Sequence, residues 1–203
     1  MSDAKAPLEF YFDFSSPYGY LAAERIDELA AKYGRKVKWR PVLLGVVFKA
    51  TGAAPLTTVP IKGAYSMLDF GRSARFMGIP YQQPSRFPLP TQVAARAYYV
   101  LHDQDCAMAR AFAKAVYRAL FVEDRDISNP EVVMEIAAAV GADREAVAEA
   151  VEMPEIKERL KNEVAAAIEK GVFGSPYIVC DGEPFFGADR LPQLEARLAG
   201  KEF

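Results

Sequence analysis

The sequence predicts an α/β protein in which a βαβ start and a ββα end enclose a long, wholly helical block. Three observations predict it. A strand-like run, LEFYFDF at residues 8–14, leads directly into Ser-Ser-Pro-Tyr and an apolar-periodic segment. From about residue 91 to 170 the chain carries helix starts and apolar periodicity. Near the end, two β-prone runs, residues 177–180 and 183–186, flank Asp181-Gly182, the strongest short hairpin signal.

Each element follows from local chemistry. Ser16 reads as an N-cap and Pro17 as the first helical residue, because proline lacks the N–H that would be unpaired there. The helix they open carries Tyr20, Leu21, Ile26, Leu29 and Ala30 and is expected to run to Gly34. Residues 37–42, VKWRPV, suit a second strand with Val37 and Trp39 on one face, parallel to the first. Residues 45–62 hold Gly, Pro and Thr without period and read as loop; 65–77 reads as helix. YQQPSRFPLP, residues 81–90, has three prolines and reads as extended chain. Helices are then expected over 91–102, 105–121, 130–140, 143–151 and 154–170. In the last of these Ile156, Leu160, Val164 and Ile168 recur every four residues, a stripe that implies core packing. A closing helix spans about 190–198. Without the helical block the order is βαβ–ββα, that of a thioredoxin-like domain. The expected division is 1–44 and 171–203 for that discontinuous domain and 45–170 for an inserted all-helical domain.

Composition narrows the function. The 203 residues are 51% hydrophobic with a net charge of −2, so no basic surface calls for nucleic acid. No apolar run approaches the ~20 residues that span a bilayer. The first residues, MSDAKAPLEF, lack the basic and apolar regions of a secretory signal, so a cytoplasmic location is expected. The two cysteines, Cys106 and Cys180, form no metal-binding or CxxC spacing, and a cytosolic chain argues against a disulfide. His102 is the single histidine and sits in an apolar helical stretch, so no metal site is expected and a structural role fits it best.

Four stretches can carry chemistry. At Ser15-Ser16-Pro17-Tyr18-Gly19 a helix start offers orphan N–H groups and a positive dipole end. A reactive cysteine stands there in thioredoxin-type domains; here S-P-Y-G replaces C-x-x-C, which excludes dithiol–disulfide exchange at that place. Ser16 either caps the helix only or also donates to a thiolate carried by a ligand. Gly174-Ser175-Pro176-Tyr177 is either an ordinary turn or, in this layout, a proline facing that helix start, with Ser175 presenting its backbone to an extended ligand. Asp189 in FGADR either caps the last helix or receives a ligand amine. Lys49 and Lys62, in the 48–65 loop, are either solvated or hold carboxylates.

Taken together, FDFSSPYGYL, RPVLLGVVFKATG, VPIKGAY, GVFGSPY and DGEPFFGADRL resemble the 2-hydroxychromene-2-carboxylate isomerases and the related kappa-class glutathione transferases, DsbA-like thioredoxin folds with a helical insert. The resemblance covers nearly the whole chain. It implies a glutathione-dependent isomerase that interconverts 2-hydroxychromene-2-carboxylate and trans-o-hydroxybenzylidenepyruvate-type substrates by reversible thiolate addition. It implies a homodimer acting on a small aromatic molecule. By position, Ser16 matches the serine that contacts the glutathione sulfur. Ser175, before Pro176, matches the residue pairing with the cysteinyl part. Gly187, Ala188 and Asp189 match the segment holding the γ-glutamyl end, and Lys62 a lysine near the glycyl end. Lys49 matches a lysine near the substrate carboxylate, and Phe87 a tyrosine position of an isomerase. Ala53 departs from a usual asparagine and Ala188 from serine or asparagine. The alternatives are a kappa-like glutathione transferase and a non-catalytic glutathione-binding module.

Overall fold

The computed structural model describes residues 6–201, so the outermost ends of the expected terminal segments, 1–5 and 202–203, lie outside it. The chain begins with β1 (Leu8–Phe12), α1 (Pro17–Ala23), α2 (Ile26–Lys32) and β2 (Val37–Pro41). Then come α3 (Leu44–Thr51), a short 3-10 turn at Leu56–Thr58, and α4 (Lys62–Met77). Next follow α5 (Gln92–Gln104), α6 (Cys106–Phe121), α7 (Pro130–Ala139), α8 (Arg144–Ala150) and α9 (Pro154–Glu169). The end is β3 (Tyr177–Cys180), β4 (Glu183–Phe186), a 3-10 turn at Ala188–Arg190, and α10 (Leu191–Leu198).

The four strands form one sheet in the order β2-β1-β3-β4. β1 runs parallel to β2, with Phe10 opposite Trp39, and antiparallel to β3, with Phe10 opposite Ile178. β3 and β4 form the expected hairpin; Asp181 and Gly182 both take positive φ, 52° and 85°. Pro41 and Pro184 sit on the two edge strands, where their missing N–H breaks no interior ladder. Alternation along β1 and β2 puts Phe10, Phe12 and Trp39 on one face. Phe12 meets the Trp39 ring at 5.3 Å, Tyr98 of α5 at 5.8 Å and Tyr117 of α6 at 5.9 Å. One continuous buried cluster therefore joins the sheet to helices drawn from the block between β2 and β3.

Two expectations change. The first helix does not run to Gly34: Arg25 leaves helical angles at φ −121°, and its guanidinium donates to the Met77 carbonyl at the end of α4. The break thus coincides with a tertiary contact. Residues 45–51, where loop is expected, belong to a helix that opens at Leu44. The Leu44 N–H is received by the carboxylate of Asp13, a distant residue, and Gly52 closes the helix in the left-handed region at φ 73°.

Candidate active site

Ser16 is the N-cap of α1 and Pro17 its first residue, as the sequence implies. The Ser16 hydroxyl, 4% exposed, accepts from the Gly19 N–H at 3.0 Å and donates to the Ser175 carbonyl at 2.9 Å. Ser175 precedes Pro176 in a cis peptide, and the Ser175 hydroxyl receives the Asp13 N–H at 3.0 Å. The helix mouth and the segment before β3 are thus one hydrogen-bonded unit. Gly19 permits the close approach: a Cβ there would lie 2.7 Å from Ser175 Oγ and 2.8 Å from the Tyr117 hydroxyl.

Ser15 and Ser16 are not equivalent. Ser15 Oγ accepts from the Leu89 N–H at 3.0 Å and so binds the proline-rich segment to the turn. Beneath both serines lies Asp13, 3% exposed. Its Oδ1 receives Ser15 N–H at 2.7 Å and the Thr91 hydroxyl at 3.0 Å; its Oδ2 receives Leu44 N–H at 2.6 Å. Burial holds this carboxyl's pKa above its ordinary value, and the bonds from Leu44, Ser15 and Thr91 offset part of that rise. Sequence reasoning passed over Asp13; an acidic residue set between Phe12 and Phe14, just past an aromatic-rich strand, is the signal that could have found it.

These groups border an open cavity of about 1920 Å³. Its wall includes Ser16, Tyr18, Leu44, Ala53, Thr57, Asp69, Phe70, Arg72, Phe87, Ser175, Gly187, Ala188 and Asp189. Tyr18 donates to Asp69 across 2.6 Å, a pair that sequence spacing does not reveal, and its ring meets Phe70 at 5.1 Å. Phe87 is part of the same apolar wall, 6.2 Å from Phe70. Thr57 Oγ1 is buried and has no hydrogen-bond partner among the described residues, so a polar group in the cavity would satisfy it.

Of the expected site residues the structure brings Ser16, Ser175, Phe87, Gly187, Ala188 and Asp189 to one cavity, and Pro176 adjoins it through the Gly187 N–H, which its carbonyl accepts at 3.0 Å. Asp189 does not cap the last helix. The cap position of α10 is Arg190, with no side-chain bond, and the Asp189 carboxylate is 73% exposed beside Arg190. Lys49 and Lys62 are exposed and neither lines the cavity. Lys49 lies in the last turn of α3 and Lys62 is the first residue of α4. Arg72 and Arg190 do line it, each in a loose contact with a carboxylate, at 3.4 and 3.6 Å.

Residues 7–199 match the family model of the DSBA-like thioredoxin domain. The chain belongs to this family. Within it, the chain is 31% identical over 194 residues to a 2-hydroxychromene-2-carboxylate isomerase of Sphingobium xenophagum, covering 94% of this chain and 97% of the relative. It is 30% identical over 205 residues to Glutathione S-transferase kappa 1 of Caenorhabditis elegans, covering 91% and 87%. A solved structure of a selenomethionine 2-hydroxychromene-2-carboxylate isomerase superposes with a TM-score of 0.85 at 29% identity, over 95% of this chain and 94% of that one. The DSBA-like domain here carries serine at the helix mouth and neither sulfur of a CxxC pair.

Proposed function

We propose that this protein is a glutathione-dependent isomerase acting on 2-hydroxychromene-2-carboxylate and the ring-opened benzylidenepyruvate that equilibrates with it. The observation that carries the reading is a buried seryl hydroxyl at the start of α1, opposite Ser175, where this family's redox members need a thiol. A protein without its own sulfur there can use one from a bound tripeptide. The names and coverage of the most similar relatives agree with this.

The wall fits glutathione by its donor set. Ser175 offers backbone groups, and its carbonyl, though it already takes the Ser16 proton, has a second lone pair. The exposed Asp189 carboxylate suits the γ-glutamyl ammonium. When bound, glutathione supplies a thiol nucleophile that adds reversibly to the conjugated side chain of the substrate and so frees a double bond to rotate. Ser16, with the N–H groups of the first turn of α1, favours the anionic form of a sulfur placed at the helix mouth. A charge-assisted bond is worth roughly 1.5–3 kcal/mol, and about 1.4 kcal/mol lowers a pKa by one unit. Because the Ser16 proton must leave the Ser175 carbonyl, the lower end of that range applies. Phe70 and Phe87 supply an apolar surface for the aromatic ring. Arg72, the cation on the wall nearest in sequence to Asp69 and Phe70, anchors the substrate carboxylate; this replaces the role expected of Lys49. Lys62, exposed and outside the wall, does not hold the glycyl end in this arrangement.

The reading extends to a cytoplasmic homodimer. α4 and the residue before it expose Ile61, Tyr65, Leu68 and Phe76, at 92%, 59%, 66% and 91%, an apolar face fit for a second copy.

The test is isomerisation of the chromene carboxylate followed with and without glutathione. Turnover that requires glutathione is expected. Conjugation of an aromatic halide without isomerisation would establish the kappa-like transferase reading instead. Glutathione binding without either activity would leave a binding module.

A further inference from the structure

We propose that Asp13 is the positioning residue for the Ser16 hydroxyl, and that it works by gathering the start of α1, the start of α3 and the start of α5 around one buried carboxylate. The proposal rests on the reading above for its catalytic readout and on geometry alone for its structural one.

The bonds are unusually concentrated. The two carboxylate oxygens take three donors from three segments: Ser15 N–H in the β1–α1 turn, Leu44 N–H at the first residue of α3, and the hydroxyl of Thr91 at the cap position of α5. The backbone of Asp13 adds three more. Its N–H goes to Ser175 Oγ, and its carbonyl receives Ser16 N–H at 2.9 Å and the Tyr117 hydroxyl at 3.0 Å. The amides of Ser15 and Ser16 are therefore both held by Asp13, one by the side chain and one by the main chain. With its amide held, Ser16 places Oγ between Gly19 N–H and the Ser175 carbonyl.

Only an acceptor-only group fits. A serine or asparagine could make the local turn with Ser15. Asparagine, though, would present an NH₂ to one of two N–H groups that now point at oxygen, either Leu44's at 2.6 Å or Ser15's at 2.7 Å. Two donors face to face must part. The parting moves either the α3 wall or the turn that carries Ser16. The Ser175 hydroxyl is bound by the Asp13 backbone, so the segment that offers backbone to a tripeptide is spared. Loss of the carboxylate should therefore impair the chemical step more than glutathione affinity.

The experiment compares wild type with Asp13→Asn, well below the melting temperature of each, in two readouts. The first is kinetics at saturating glutathione, with glutathione affinity by calorimetry. A fall of about 100-fold in kcat is expected, because small misplacements of a catalytic group cost that much, with affinity changed by less than about threefold. The second, independent of any activity, is amide hydrogen exchange. Faster exchange at Gly19, whose N–H rests on Ser16 Oγ, is expected while the β1–β3 ladder keeps its protection. Should Asp13→Asn fail to fold, Leu44→Pro removes one donor and keeps the carboxylate; proline is tolerated at the first helical position. It should shift both readouts the same way by a smaller factor. An unchanged Gly19 exchange rate in a folded variant would overturn the proposal. So would an unchanged kcat, or a loss carried wholly by glutathione affinity. A wild type inactive on the chromene carboxylate would refute the proposed function and leave the exchange readout to decide this one.

Discussion

The Ser16 hydroxyl donates to the Ser175 carbonyl across 2.9 Å, joining residues 159 positions apart. This bond links the helix mouth to the loop before β3 and turns two unremarkable Ser-Pro steps into one site.

Replacing Ser16 by alanine removes that bond and the cap on Gly19 N–H. Loss of a cap costs about 1 kcal/mol. Loss of a donor to the sulfur should raise the pKa of bound glutathione by about one unit. Thiolate absorbance of the complex, titrated against pH, reads the shift; an unchanged titration curve would remove Ser16 from its assigned role.

Gly19→Ala tests the close packing around that bond. The new Cβ would fall 2.7 Å from Ser175 Oγ, 2.8 Å from the Tyr117 hydroxyl and 3.0 Å from Ser16 Cβ. Alanine is the better helix former, so propensity alone would stabilise. Overpacking of about 1–3 kcal/mol should outweigh it. Thermal denaturation should show a lower melting temperature; a rise would mean that the wall yields.

How much of this was legible in the sequence depends on range. Ser16, Pro17 and the Asp181-Gly182 turn act within a few residues, and each behaves as its local chemistry dictates. Residues 45–51 give no local helix signal, because the group that receives the first N–H of their helix, Asp13, lies 31 positions upstream of Leu44. The Tyr18–Asp69 pair spans 51 positions and left no local trace. Asp189 shows the converse: a local rule offered it as a cap, but the 3-10 turn at Ala188–Arg190 holds it one residue short of Arg190, the cap position of α10.

Arg72→Ala should raise KM for a carboxylate substrate about tenfold, the worth of one charge-assisted bond partly exposed to water, with kcat little changed. Lys49→Ala, outside the cavity wall, should leave KM within about twofold, less than the worth of one weak hydrogen bond. Steady-state kinetics of the two variants separate them; the reverse order would restore Lys49 as the anchor.

The hairpin turn should respond to acid. Arg35 binds both Asp181 oxygens, at 2.7 and 3.0 Å, and this holds the Asp181 carboxyl below its ordinary range. A depressed folded pKa means that the unfolded chain takes up the proton first. The pair therefore stabilises the fold above about pH 4, the unfolded carboxylate value, and the contribution disappears as pH falls through the folded value. Asp181 is 43% exposed, so the effect is modest. Asparagine tolerates the positive φ of this position and isolates the charge. Asp181→Asn should be less stable than wild type by denaturant titration at pH 7, and the difference should shrink as pH falls below about 4. A constant difference across that range would show that the charge is not the cause.

The account stands most directly on where a bound sulfur comes to rest. A crystal structure of the protein with glutathione should place the thiol within about 3.5 Å of Ser16 Oγ, hydrogen-bond range for sulfur, with the ammonium end at Asp189. Glutathione that does not bind, or that binds with its sulfur away from Ser16, would contradict it.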